Sequence, residues 1–262
     1  MLQADTLLVE STYGNRLHPP DDGTPVIVQA MRRAVERRGA LLIPAFAVGR
    51  TQQLLYLLRQ LEEEDRVPAL PVYLDSPMAI AATVAYARHP EEHDDETSRT
   101  GAAGTRPFAP ARFHLSPSAE DSKRLNDVEG PLVIIAGSGM ATGGRILHHL
   151  RRRLGDERTT VLFAGYQAPG TRGRSLCEGA RSVRIFGEEM PVRATILTTD
   201  ALSAHADQQD LLRWLKGFQR PPAATYAVHG EPAAASALCE VIVRELGWPR
   251  VAVAAHGARV AL

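Results

Sequence analysis

The chain has 262 residues, 44% of them hydrophobic and 23% charged, a makeup that fits one large or two ordinary globular domains. Its 30 basic and 30 acidic side chains cancel, which excludes a protein basic all over but leaves room for a local basic groove. No apolar run approaches the roughly 18–20 residues of a membrane span, the start MLQADTLLVESTYG is not a signal peptide, and two unclustered cysteines (Cys177, Cys239) fit a reducing, cytoplasmic setting.

Strand-like and helix-like segments alternate from the start, which predicts an α/β fold. DTLLVEST (5–12) reads as a buried strand, and TPVIVQAMRRAVERRG (24–39) has apolar residues at helical spacing and stops at Gly39. ALLIPAF (40–46) is a strand, GRTQQLLYLLRQLEEED (49–65) an amphipathic helix, LPVYLDSP (70–77) a strand and PMAIAATVAYARH (77–89) a helix. Residues 90–111 are polar and rich in Gly and Pro, and read as a mobile excursion. SPSAEDSKRLNDV (116–128) is helical, and GPLVIIAGSGMATGGRILHHLRRRLG (130–155) is strand, glycine loop and helix. TTVLFAGYQAPGTRGRSL (159–176) is strand then loop. VRATILTTDALSAHADQQDLLRWLKGF (192–218) and ATYAVHGEPAAASALCEVIVREL (224–246) each read strand, loop, helix, and RVAVAAHGARVAL (250–262) alternates like a strand pair.

In open α/β sheets ligands gather where strands end. The unusual residues lie at such ends: Glu10, the PAFAVGRTQ loop with Arg50, Asp75, the GSGMATGGR loop with Ser138, Gly139 and Arg145, the GYQAPGTRGR loop with Arg172 and Arg174, His205 and His229. The glycine loop reads either as a tight turn or as a cradle whose backbone N–H groups approach a phosphate. The arginines suit either a polyanion or a neighbouring carboxylate. His205 and His229 each follow an apolar strand and precede a helix, where an imidazole can ligate a metal or move a proton. Glu10 adds a carboxylate able to orient one of them. The remaining histidines, His18 among them, have no ligand-like spacing, and the neighbours His148 and His149 point to different sides of a helix.

Taken in order, VESTYGNR, PAFAVGRTQQLLYLL, YLDSPMA, GSGMATGGR, GYQAPGTRGRSL, LSAHAD and VHGE resemble the β-CASP family of metallo-β-lactamase-fold RNA nucleases over nearly the whole chain. The resemblance implies a β-CASP domain, a parallel sheet flanked by helices, plus the C-terminal part of a metallo-β-lactamase αββα domain. It places the last strand of that domain's first half at 1–12, the β-CASP domain at 13–188 and the C-terminal portion at 189–262. It assigns Glu10 to the acidic motif A, His205 to motif B at the scissile phosphate, and His229 to motif C as a zinc ligand. Arg50, Ser138, Gly139, Arg145, Arg172, Arg174 and Ser203 become the phosphate-binding set.

The implied activity is zinc-dependent hydrolysis of RNA, endo- or 5′-exonucleolytic, with His205 assisting the departing oxygen. The family holds two zinc ions mainly through an N-terminal HxHxDH motif, and this sequence contains no HxH. Little activity is therefore expected of this polypeptide by itself, since a hydrolytic zinc takes about three protein ligands. The expected partners are RNA, the N-terminal metallo-β-lactamase half in cis or in trans, and a homodimeric copy; no membrane is expected. The alternatives from another class are a non-catalytic RNA-binding or scaffold module, or one half of a split nuclease. An apolar sheet surface is expected where the other half would lie.

Overall fold

The computed structural model describes residues 3–93, 97 and 106–259. Half of the expected excursion at 90–111, and the end of the expected second strand of the tail, lie outside those residues. The chain divides into two compact units, one of residues 21–202 and one that joins the segment before residue 21 to the segment after residue 202. Among the described residues no helix is long and apolar enough to cross a membrane.

The larger unit is built on a six-stranded sheet in the order β4-β3-β5-β2-β6-β9, with every neighbouring pair parallel. Its strands are β2 (Ala40–Pro44), β3 (Pro71–Asp75), β4 (Arg112–Leu115), β5 (Leu132–Ala136), β6 (Thr160–Ala164) and β9 (Thr195–Thr199). β2, β5 and β6 are buried at every position, because parallel strands covered on both faces read as continuous apolar runs. Alternation sorts their side chains between two cores. Leu41, Ile43, Val133 and Ile135 face a core completed by α1 (Thr24–Glu36) and α2 (Arg50–Glu63), through Ile27, Met31, Leu54, Leu55 and Leu58. Leu42, Leu132, Ile134 and Phe163 face the other, with Leu125 of α4 (Ala119–Leu125) and Ile146 and Leu150 of α5 (Ile146–Arg153). Gly39, just before β2, must be glycine: a Cβ there would stand 1.9 Å from the Arg158 carbonyl oxygen.

Several features depart from the expected elements, among them β4 (Arg112–Leu115), which falls between the expected excursion and the helix after it. Arg172 and Arg174 lie on a short helix, α6 (Arg172–Cys177), not on a loop, because Thr171 caps it by accepting from the Arg174 N–H. A hairpin of β7 (Ser182–Ile185) and β8 (Glu188–Pro191) follows, with no counterpart in the expected string. α3 (Pro77–Arg88) is where the sequence places it, with Ser76 accepting from the Ala79 N–H.

The smaller unit has a three-stranded parallel sheet, β1 (Thr6–Glu10), β10 (Ala224–Val228) and β11 (Val251–Val253), in the order β1-β10-β11. The tail thus supplies one strand, and residues 254–259 are irregular. Leu7 and Val9 bury against α7 (Gln208–Leu215) and α8 (Pro232–Leu246), through Leu211, Leu215, Leu238 and Ile242. On the opposite face Leu8 is 63% exposed, an apolar side chain on an uncovered sheet surface.

Candidate metal and phosphate site

The parallel register of β1 on β10 sets Glu10 opposite Val228, so the last residue of one strand lies beside His229, the first residue past the other. His229 turns out of the sheet in the left-handed region, with φ +54°, a conformation unfavourable for most side chains and tolerated better by His. Gly230 follows because the backbone presses on Ser11: a Cβ at 230 would meet Ser11 Oγ at 2.4 Å. Ser11 Oγ in turn donates to the Val228 carbonyl at 2.8 Å. The turn out of β10 is therefore fixed by the chain leaving β1.

His205 arrives from the loop that precedes α7. Asp207 caps that helix, accepting from the Asp210 N–H at 2.9 Å and from the His18 N–H at 2.9 Å. Burial works to raise the Asp207 carboxyl, but those backbone donors outweigh it and hold it below the usual aspartate range. Tyr13 forms a parallel bridge to Asp207, the Gln208 amide donates to the Gly14 carbonyl at 2.7 Å, and the His18 ring Nε2 donates to the His205 carbonyl at 2.8 Å. Ser203 Oγ accepts from the His205 N–H at 3.3 Å. Residues 11–18 thus lock the His205 loop in place from nearly two hundred positions away.

The result is a cluster of three. His205 Nδ1 stands 3.3 Å from Glu10 Oε1, and the His205 and His229 rings stack with centroids 5.3 Å apart. Thr12 lies between them, its N–H donating to Glu10 Oε2 at 2.8 Å. One ligand atom from each of Glu10, His205 and His229 lies within 4.8 Å of the others. Donors around a single tetrahedral zinc stand about 3.4 Å apart, so small side-chain movements bring these three into coordination. The set, two imidazoles and a carboxylate at a partly exposed rim, suits zinc in its chemistry. Glu10 and His229 were legible beforehand as strand-end residues, whereas His205, read the same way, lies well past the end of β9 (Thr195–Thr199), in the loop before α7. Thr12, His18 and Asp207 were not, because their roles arise only from contacts across the fold.

In the larger unit the strand-end residues occupy the loops after β2, β5 and β6, three adjacent strands. Arg50 donates to Gln53 Oε1 at 2.6 Å. Ser138 Oγ accepts from the Thr142 and Gly143 N–H groups at 3.0 and 3.2 Å, closing the glycine loop on itself. Gly139 packs under Phe46, whose ring a Cβ would meet at 2.9 Å. Arg172 donates to the Arg184 carbonyl at 2.6 Å, and Arg174 to Glu178 at 2.5 Å. Arg145 donates to Asp75 Oδ1 and to the Ser116 carbonyl, both at 2.7 Å, and to the Pro117 carbonyl at 3.1 Å. Each residue of this set therefore has partners within the unit, which an arriving phosphate would share or displace.

Asp75 anchors a second carboxylate–imidazole group. Its Oδ2 accepts from His149 Nε2 and from Ser122 Oγ, each at 2.6 Å, and both Asp75 and His149 are fully buried. His149 Nδ1 lies 3.0 Å from Asn126 Oδ1. Burial pushes the Asp75 carboxyl up, but the hydrogen bonds from His149, Ser122 and Arg145 prevail and keep it below the ordinary range.

A family model described as the Beta-Casp domain matches residues 51–176, and one described as the Zn-dependent metallo-hydrolase RNA specificity domain matches residues 189–253. The second begins ahead of the contact boundary after Leu202 because it takes in β9, which pairs with β6 in the larger sheet. The chain is 42% identical over 229 residues to a protein named as a ribonuclease in Thermus thermophilus, an alignment covering 87% of this chain and 52% of that protein. It is 31% identical over 253 residues to transcription termination factor FttA of Methanosarcina mazei, covering 93% and 40%. It is 30% identical over 236 residues to an RNase J-like protein of Methanocaldococcus jannaschii, covering 87% and 52%. The chain spans about half the length of these relatives or less.

Proposed function

The chain belongs to the β-CASP family of metallo-β-lactamase-fold RNA nucleases, and from that premise we propose that it serves the zinc-dependent hydrolysis of RNA phosphodiesters. The observation that carries this reading is the convergence of Glu10, His205 and His229, whose ligand atoms lie within 4.8 Å of one another. Glu10 holds His205 through Nδ1, which leaves Nε2 to face the substrate phosphate and move a proton to the departing oxygen. His229 is the zinc ligand; in this chain by itself Glu10 and His205 stand near enough to share an ion with it, a role separate from the one His205 plays at the phosphate. When bound, zinc supplies Lewis-acid charge at the phosphodiester. Arg50, Arg145, Arg172 and Arg174, with the Ser138–Gly139 backbone, supply positive charge and N–H donors for the RNA backbone, and Ser203 a donor near His205.

Three ligands suffice for about one catalytic zinc, and the family site takes two. We therefore place the remaining ligands outside the described residues, and expect this polypeptide alone to bind zinc but hydrolyse RNA poorly. The test combines zinc calorimetry with cleavage of end-labelled RNA, with and without chelator, for the full chain, Glu10→Gln and His229→Ala. About one zinc per chain, lost in both variants, supports the reading. Zinc uptake indifferent to both substitutions overturns the site. RNA binding that is salt-sensitive and chelator-insensitive, with no zinc uptake, would mark a scaffold module instead.

A further inference from the structure

Thr12 is almost fully buried, and its hydroxyl oxygen lies within hydrogen-bond reach of three groups at once. It is 3.0 Å from the His229 carbonyl oxygen, 3.2 Å from His229 Nδ1 and 3.4 Å from His205 Nδ1. A threonine hydroxyl has one proton to give and two lone pairs to receive with. A carbonyl oxygen can only accept, so the proton goes to the His229 carbonyl, the nearest of the three. The two lone pairs then face two ring nitrogens, and each of those must carry a hydrogen.

We propose that Thr12 is a positioning residue that fixes both imidazoles in the Nδ1–H tautomer, leaving the Nε2 lone pair of each free to take up a cation or a proton. For His205 a second acceptor makes the same demand: Glu10 Oε1, a carboxylate oxygen, stands 3.3 Å from the same Nδ1. Among the described residues no such carboxylate bonds the His229 ring, and there Thr12 decides alone. The threonine is well suited to the task. Its backbone N–H is tied to Glu10 Oε2 at 2.8 Å, and its branched Cβ restricts the side-chain torsion. A free imidazole prefers the opposite, Nε2–H form, which would present a hydrogen where a metal needs a lone pair. The inference rests on hydrogen-bond chemistry in the metal-free protein, and holds whether or not the chain hydrolyses RNA.

The test is side-chain nitrogen NMR of the 15N-histidine-labelled full chain without metal, with the imidazoles neutral. Wild type should show both His205 and His229 as Nδ1–H. In Thr12→Val, which keeps the shape and loses the hydroxyl, His229 should turn largely to Nε2–H while His205, still held by Glu10, keeps Nδ1–H. Thr12→Ser should restore the wild-type pattern. As a second readout, which rests on the zinc reading, Thr12→Val should weaken zinc binding about 10-fold. His229 found as Nε2–H in the wild type overturns the proposal, even if the valine variant does not fold. So does a Thr12→Val protein in which His229 stays Nδ1–H.

Discussion

Asp75 meets His149 at 2.6 Å with neither side chain exposed, whereas Glu10 meets His205 at 3.3 Å with the two side chains 28% and 40% exposed. The first pair lies in the larger unit, at the end of β3, and the second in the smaller unit, at the end of β1. Both are a carboxylate against an imidazole at a strand terminus, yet they are finished differently. The Asp75 carboxylate has three side-chain donors around it, and the far nitrogen of His149 is already taken up by Asn126. The Glu10 cluster keeps lone pairs in hand at a rim open to solvent. A buried ionic group must be satisfied on every side or it is costly. A group that handles a ligand must be left short of partners until the ligand arrives. The same residue pair is thus closed on itself in one unit and left open at a rim in the other.

The comparison is broken most directly at Asp75. Asp75→Ala should cost about 3–5 kcal/mol, since it leaves a part-buried guanidinium and a buried imidazole and hydroxyl without their common acceptor. Urea unfolding followed by far-UV circular dichroism measures it, and a loss below about 1 kcal/mol would show the network to be dispensable. A smaller effect comes from pH. The Asp75 carboxyl is depressed in the folded protein, so its contribution is whole above the unfolded value near 3.8 and drains away as pH falls through the lower folded value. The stability gap between wild type and Asp75→Asn should therefore be constant from pH 7 to 5 and narrow below pH 3.8. A gap that instead widens in acid would contradict the sign of the shift.

At the other cluster the effects on stability should be slight. Glu10→Gln should change it by about 0.5–1 kcal/mol or less, because the group is partly solvated, while removing most zinc affinity. His229→Asn should be neutral or stabilising by up to about 1 kcal/mol, since asparagine adopts the left-handed conformation at least as readily. A substitution that strengthens the fold and abolishes zinc uptake would be the sharpest sign that His229 is kept for its chemistry. Destabilisation beyond about 2 kcal/mol at either residue would instead place the cluster with Asp75, as structure.

Much of this was legible along the chain. The apolar spacing of Ile27, Ala30, Met31 and Ala34 marks the buried face of α1, and the unbroken runs of β2 and β5 mark strands covered on both sides. Short-range periodicity carries such information because one residue's environment repeats three or four positions later in a helix, or two in a strand. The missed elements lack that signal. The β7–β8 hairpin is short and turns at Phe186–Gly187 with both φ angles positive, where no Asn-Gly pair announces it. α6 is only six residues long, too short for a periodic pattern, and its cap is a single hydroxyl.

The candidate site divides along the same line. The sequence by itself determined which residue types stand at or past strand ends, and so named Glu10, His205 and His229 as groups able to do chemistry. It set His149 aside with His148, as neighbours on two sides of a helix. Only the tertiary structure decided that the register of β1 on β10 brings Glu10 beside His229, that Thr12 and His18 bond to the His205 and His229 segments, and that Asp75 closes over His149. The reason is physical: hydrogen bonds depend on tenths of an ångström between atoms, and here their partners are 74 to 217 residues apart, a separation over which no local pattern in the chain sets a distance.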